Sequence, residues 1–128
     1  MAAADHPHPF DPVGVEQARA AQLSAEEAER LSGVLALIGD PVRARVICAL
    51  LAVDELCVGD VALAANVNND AASYALRVLR TAGLVLRRRE GRLSYYRLAD
   101  HDTQPTLRTA LTEVLKLSAE PFRAEPDR

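Results

Sequence analysis

The sequence predicts a mainly α-helical domain that carries one β-hairpin, and three observations lead to this fold class. Apolar residues recur with helical spacing in several segments between residues 24 and 118. Residues 84–98 differ, because two short strand-like runs flank Glu90-Gly91, a pair suited to a tight turn. A short helix, a turn and a longer helix precede this hairpin, which is the order of a winged helix-turn-helix. The expected element order is α-α-α-α-β-β-α.

Two helices are predicted in the first half of the chain, and each has its own start signal. Ser24 and Glu27 have the spacing of a capping box, and Gly39 ends the helix that they open. The apolar stripe of this helix consists of Ala28, Leu31, Leu35 and Ile38. Asp40 as N-cap and Pro41 at the first helical position then open a second helix. Its inward-facing residues are predicted to be Val42, Val46, Ala49 and Leu50.

The helix-turn-helix follows. A short helix is predicted over residues 58–65, and the segment 66–70 is dense in residues that form turns and caps. Asp70, or an asparagine just before it, caps a longer helix over about residues 71–82. Gly83 stands where a left-handed residue ends a helix.

The hairpin and a final helix complete the domain. Strands are predicted at about residues 84–89 and 92–98, while residues 54–57 earlier in the chain are expected to form only a connector. The final helix runs from about residue 104 to residue 118. One face of it carries Leu107, Leu111, Val114 and Leu115.

Three segments are predicted from the change in composition along the chain. Residues 1–14 are rich in proline and histidine and form a flexible amino-terminal arm. Residues 15–118 are expected to form one winged helix-turn-helix domain, for which the features described below predict DNA binding and dimerisation. The alanine-rich residues 15–20 can begin a helix. Residues 119–128 form a charged tail.

Composition excludes several classes of protein. No apolar run reaches the ~18 residues of a membrane span, and the amino terminus lacks the basic start and hydrophobic stretch of a secretory signal. Two cysteines without such a signal predict free thiols in a reducing cytoplasm. The hydrophobic content of 49% suits a helical core, and so much apolar helix favours a homodimer.

Charge is concentrated around the predicted hairpin. Residues 77–97 contain seven arginines and one acidic residue, Glu90, so this segment carries +6. The whole chain carries −3, which leaves −9 on the remainder. Because positive charge is gathered where a winged helix meets the phosphate backbone, the sequence predicts a protein that binds double-stranded DNA.

The predicted DNA-reading residues lie at the start of the longer helix and on the wing. They are Asn68, Asn69, Asp70, Ser73, Tyr74, Arg77, Arg87, Arg88, Arg89 and Arg92. Asparagine can pair with adenine, and arginine can pair with guanine or phosphate. The alternatives are that the asparagines only cap a turn and that the arginines are only the solvent-exposed residues of a hairpin. No catalytic triad, glycine-rich phosphate loop or paired-acid cleft is found, so neither an enzyme nor a small organic substrate is expected.

Four segments in unbroken order resemble one family of proteins. They are Gly-Asp-Pro-Val-Arg-Ala-Arg-Val-Ile (39–47), Glu-Leu-Cys-Val-Gly-Asp-Val-Ala (55–62), Leu-Arg-Val-Leu-Arg-Thr-Ala-Gly-Leu-Val (76–85) and Arg-Arg-Glu-Gly-Arg-Leu-Ser-Tyr-Tyr-Arg-Leu-Ala-Asp-His (88–101). This pattern resembles the ArsR/SmtB family of bacterial metal-sensing repressors over about residues 30–116. The resemblance implies a homodimer built through the first and last helices, which releases its operator when a metal or another signal binds.

The stretch 68–74 departs from the family pattern. The family often has a Ser-x-Ser-x-Val-Ser-His-like stretch there, whereas this chain keeps only Ser73 in register and has Tyr74 in the histidine place. The operator sequence is therefore not implied by the resemblance.

The resemblance implies a first metal site at the start of the third helix. Cys57 and Asp60 match it and lie one helical turn apart, and the arm adds His6 and His8. Thiolate, imidazole and carboxylate suit zinc or cadmium. The alternatives are a buried connector thiol, incidental histidines and an aspartate that only favours its helix N-terminus.

The resemblance also implies a second site on the last helix. Its register here gives Asp100, Asp102, Glu113 and Lys116. Both histidine positions are acidic and the final glutamate is a lysine, so zinc binding is less expected at this place.

A thiol signal, or no metal inducer at all, is the alternative to metal sensing. Cys48 occupies a second-helix position where persulfide- and oxidant-sensing relatives carry one of two cysteines, but this chain has no cysteine after Cys57. A disulfide between Cys48 and Cys57 is one alternative. The other interpretation is that Cys48 is a small apolar residue buried in the core.

Overall fold

The computed structural model describes residues 8–99 and 103–118, which contain six helices and one three-stranded sheet. The elements are α1 (Pro12–Ala20), α2 (Ala25–Ile38), α3 (Pro41–Ala52), β1 (Leu56–Cys57), α4 (Val58–Ala65), α5 (Asn69–Thr81), β2 (Val85–Glu90), β3 (Leu93–Leu98) and α6 (Thr103–Leu117). The chain divides into two compact units, one ending at Leu35 and the other starting at Ala36. None of the described helices is long and apolar enough to cross a membrane.

The helices of the first unit begin at local capping signals. The capping box is confirmed, because the Glu27 amide donates to Ser24 Oγ at 3.0 Å and the Ser24 amide donates to Glu27 Oε1 at 2.9 Å. Asp11 caps α1 by accepting from the Gly14 amide at 2.9 Å, and Pro12 is its first residue. This Asp-Pro start is the signal that also opens α3, and it places the beginning of α1 inside the predicted arm.

The second unit has one hydrophobic core, which is built by α3, α4, α5, the sheet and α6. Its fully buried large side chains are Val46, Ile47, Leu50, Val61, Leu76, Leu79, Val85 and Leu98. Asp40 caps α3 as predicted, by accepting from the Arg43 amide at 3.0 Å. Arg43 also closes the end of α2, because its guanidinium donates to the carbonyls of Leu37 at 2.6 Å and Ala36 at 3.0 Å.

The sheet contains one strand that the sequence did not predict. Leu56–Cys57 was expected to belong to a connector, but it forms β1 and pairs antiparallel with β3, so the strand order is β1-β3-β2. The hairpin turn also lies one residue later than predicted, since Glu90 pairs with Leu93 and the loop is Gly91-Arg92. Gly91 has φ of 62°, a left-handed conformation that favours glycine.

Apolar faces on α2 and α6 remain uncovered in the single chain. On α6, Leu107 is buried in the core and Leu111 packs against it, whereas Val114 and Leu115 are exposed. On α2 the exposed apolar side chains are Leu31, Val34 and Leu35. Exposed aliphatic rows of this kind are typical of surfaces that another chain covers.

The interpretation of Cys48 as a buried residue is wrong. Cys48 is exposed and is a free thiol, while Val46 and Ile47, which precede it on α3, are completely buried. The sequence of α3 did not show which side of the helix is buried. Alanine and cysteine lie on its outer face, and these apolar residue types also suit a core.

Candidate nucleic-acid interface and metal ligands

Helix α5 presents a polar face and buries an apolar one. The buried residues are Ala72, Ala75, Leu76 and Leu79, and the helix packs on α3 and α4 through them. The predicted DNA-reading residues of the helix are all exposed: Asn69, Asp70, Ser73, Tyr74 and Arg77. Small alanines on the inner face let the helix pack closely on its neighbours, and the polar side chains of its first two turns face outward, where a groove can receive them.

Asn68 has a structural task at the start of this helix. Its Oδ1 accepts from the Ala71 amide at 2.8 Å, which makes Asn68 the N-cap, and the expected cap is thus the asparagine rather than Asp70. The side-chain amide nitrogen of Asn68 is left to donate elsewhere. Helix α5 ends at Thr81, and Gly83 just beyond it has the predicted left-handed conformation, with φ of 84°. The Leu84 amide donates to the Leu79 carbonyl at 2.9 Å.

Replacing Asn68 by alanine is expected to lower the free energy of unfolding by about 0.5–2 kcal/mol, because one amide at the start of α5 loses its acceptor. Thermal unfolding followed by circular dichroism measures the change. Asn69→Ala is the matched control, since Asn69 is exposed and is not the cap. Equal stability of the two variants would contradict the capping role.

Tyr74 and Arg77 form a pair on the exposed face of α5. The Tyr74 side chain is 60% exposed, and the Arg77 guanidinium lies 6.0 Å from the centre of its ring. This distance is at the outer limit of a cation–π contact, so Arg77 keeps its donors for another partner. Tyr74 therefore presents a large, half-apolar side chain beside an arginine at the centre of the helix.

The arginines of the wing divide between the two faces of the hairpin. Arg87 and Arg89 lie on the same face as Val85, which packs into the core, and Arg88 lies on the opposite face. Arg87 and Arg89 are exposed and have no ion pair or side-chain hydrogen bond within the part of the chain that the structure describes. Arg92 is exposed in the turn. These three are therefore open to phosphate.

Arg88 differs from the other wing arginines, because its guanidinium has partners in the protein. It donates to Glu55 Oε1 at 2.7 Å and Oε2 at 3.1 Å, and to Glu90 Oε1 at 2.9 Å. It also lies 4.8 Å from the centre of the Tyr95 ring. The Arg88 hydrogen bonds hold the pKa of Glu55 below its ordinary value, against a smaller opposing effect of burial. Sequence reasoning had no signal for this use of Glu55.

Cys57 and Asp60 lie together at the start of α4. Cys57 is a free, half-buried thiol at the N-cap position, and Asp60 is exposed in the first helical turn. Among the described residues, no group of three or more histidine, cysteine, aspartate or glutamate side chains is placed to hold a metal ion. His8 is exposed and belongs to the first unit, and His6 lies outside the described residues.

The second metal site falls partly outside the described residues, which do not include Asp100 and Asp102. Glu113, its remaining carboxylate, pairs with Lys116 at 2.6 Å, and both side chains are exposed. The lysine thus neutralises the only described carboxylate of that site, as its sequence position indicated.

Comparisons with known proteins agree with this geometry. The sequence profile described as "Bacterial regulatory protein, arsR family" matches residues 40–86. A transcriptional repressor SmtB homolog from Synechocystis is 42% identical over 92 residues, covering 70% of this chain and 69% of that protein. A cadmium resistance transcriptional regulatory protein CadC homolog from Staphylococcus aureus is 31% identical over 88 residues, covering 69% of this chain and 73% of that protein.

A solved structure shows the same fold. It is the homodimeric winged helix-turn-helix domain of a possible ArsR-family transcriptional regulator from Mycobacterium bovis, with a TM-score of 0.55 and 28% sequence identity. The match covers 81% of this chain and 99% of that one. The expected winged helix-turn-helix is therefore confirmed.

Proposed function

We propose that a divalent metal ion of the zinc or cadmium class releases this protein from its operator. The chain belongs to the ArsR/SmtB family of bacterial regulatory proteins, which are DNA-binding transcriptional repressors and not enzymes. The observation that carries the proposal is the position of Cys57 and Asp60. They begin α4, and α4 leads through the turn at Asn66 directly into α5. A change at these ligands therefore acts on the helix that precedes the DNA-reading helix.

The donor set fits a thiophilic divalent ion. Cys57 and Asp60 supply sulfur and oxygen one turn apart, at a helix N-terminus that favours negatively charged side chains. We propose that His6 and His8 would supply the nitrogen ligands that complete the set. When bound, the ion would draw its protein ligands into one coordination sphere. The relatives named for SmtB and for cadmium resistance support this class of ion.

We further propose that the operator-binding form is a homodimer. The uncovered apolar rows of α2 and α6 support it, as does the homodimeric state named for the Mycobacterium bovis relative. Each protomer then contributes one α5 and one wing to a two-fold symmetric operator.

The test is a titration of operator binding with zinc, cadmium, lead, nickel and cobalt, using reduced protein and the DNA upstream of its own gene. The expected result is a loss of affinity of about 5–150-fold with at least one ion, the range of a coupling of ~1–3 kcal/mol. Cys57→Ser should abolish this loss, and Cys48→Ser is the matched control that keeps it. Unchanged affinity with all five ions would refute metal release.

Release by a thiol signal is the second candidate, and the exposure of Cys48 favours it. Both cysteines are free, and Cys48 lies at the surface, where an oxidant or a persulfide has access. Mass spectrometry of persulfide-treated protein, scored beside operator release, separates the candidates. Release that depends on Cys48 and persists in a chelator would favour the thiol signal.

A further inference from the structure

We propose that Arg88 and Glu55 form a clamp that positions the wing for operator binding, and that Arg88 does not itself bind phosphate. The clamp is defined by Glu55, Arg88 and Tyr95. The Glu55 carboxylate receives two hydrogen bonds from one guanidinium, at 2.7 and 3.1 Å, across 33 residues of sequence. Such a two-point contact fixes orientation as well as distance.

The register of the sheet brings the clamp together. Cys57 pairs with Tyr95, and Tyr95 pairs with Arg88, so the three residues form one row across the three strands. Residues opposite each other in such a row share a face of the sheet, and Glu55 belongs to the same face as Cys57 by alternation. The Arg88 guanidinium is held from below by the Tyr95 ring and from the side by Glu55.

Charge argues against a phosphate contact by Arg88. Two carboxylates, Glu55 and Glu90, surround its single positive charge, so the group as a whole is negative. Arg87 and Arg89, on the other face, carry no such neutralisation within the described residues. The wing therefore divides its arginines between two tasks, with Arg88 holding β2 and β3 against β1 and its neighbours meeting DNA.

Surface ion pairs often contribute little, but this one has three features that most lack. It is bidentate, its arginine is stacked on an aromatic ring, and it joins a short edge strand of only two residues to the hairpin. Because β1 pairs with β3 at only two positions, the Arg88–Glu55 contact adds to the restraint that these backbone pairs place on the wing. This proposal concerns the metal-free protein and needs no inducer.

The sharpest test is Glu55→Gln, measured by operator affinity in metal-free buffer. Removing an acidic residue near DNA strengthens binding on electrostatic grounds alone, whereas loss of the clamp weakens it. We expect a several-fold weaker affinity with unchanged thermal stability of the domain. Asp54→Asn is the matched control, because it removes the same charge from an exposed neighbour that makes no ion pair with the described residues.

Salt dependence gives the second readout. Arg88→Ala should weaken binding without changing the slope of log affinity against log salt, whereas Arg87→Ala should reduce that slope by about 0.9 per wing. The double variant Glu55→Ala with Arg88→Ala should bind no more weakly than Arg88→Ala alone, since Glu55 acts through Arg88. Tighter binding by Glu55→Gln, or a slope reduced by Arg88→Ala as much as by Arg87→Ala, would overturn the proposal.

Discussion

Replacing Arg87 and Arg89 together by alanine is expected to lower operator affinity by roughly 10³-fold at ~0.15 M salt, when both wings of a dimer each lose two phosphate contacts. The physical reason is counterion release, since each lost contact leaves condensed cations on the DNA. Both arginines are exposed on one face of β2 and have no partner among the described side chains that would hold them back. The effect should be largely the same for operator and unrelated DNA.

Fluorescence anisotropy at several salt concentrations measures both affinity and slope. The slope of log affinity against log salt should fall by about 0.9 for every contact that is removed. Arg123→Ala with Arg128→Ala is the control, because it removes the same charge from the predicted carboxyl-terminal tail. If the control weakened binding equally, net charge rather than wing contacts would account for the loss.

Replacing Leu79 by alanine is expected to lower the free energy of unfolding by about 2–5 kcal/mol, the range for deleting a buried leucine side chain. Leu79 is completely buried on α5, so the variant leaves a cavity under the DNA-reading helix. Urea unfolding at one fixed protein concentration measures the change, because the proposed dimerisation would make stability depend on concentration.

Leu63→Ala on α4 provides the comparison for Leu79→Ala. The Leu63 side chain is 81% exposed, so its removal should change the free energy of unfolding by no more than about 0.5 kcal/mol. A cost for Leu63 as large as that for Leu79 would mean that another chain covers α4 in solution.

The two variants in this comparison and the wing variants probe different requirements of one domain. The core sets the position of α5, and the exposed arginines of β2 are proposed to supply attraction to the phosphate backbone. An Arg87 or Arg89 variant that keeps its thermal stability, loses operator affinity and has a smaller salt slope therefore isolates the contribution of charge.

Much of the fold was predictable because its signals are local. Ser24 and Glu27, Asp40 and Pro41, and Gly83 each act within one helical turn, and each has the predicted role. The exposed face of α5 was predictable for the same reason, since residues three and four apart share a face of any helix. The ArsR/SmtB resemblance could be detected from the sequence for a similar reason, because it depends on short segments in a fixed order.

The remaining features depended on contacts between distant residues. Composition assigned arginine to the wing, but only the register of β1, β3 and β2 shows that Arg88 faces Glu55 while Arg87 and Arg89 do not. The exposure of Cys48 was equally hidden, because it depends on which side of α3 its neighbours cover.

By itself, the sequence determined that this protein is a winged helix-turn-helix repressor with an arginine-rich wing. The tertiary structure decided which of those arginines is held by partners within the protein. The physical reason is that the type of a residue determines which partners it can bind. Which partner it contacts depends on the residues that the fold places beside it, as with Arg88 and Glu55, which are 33 residues apart in sequence.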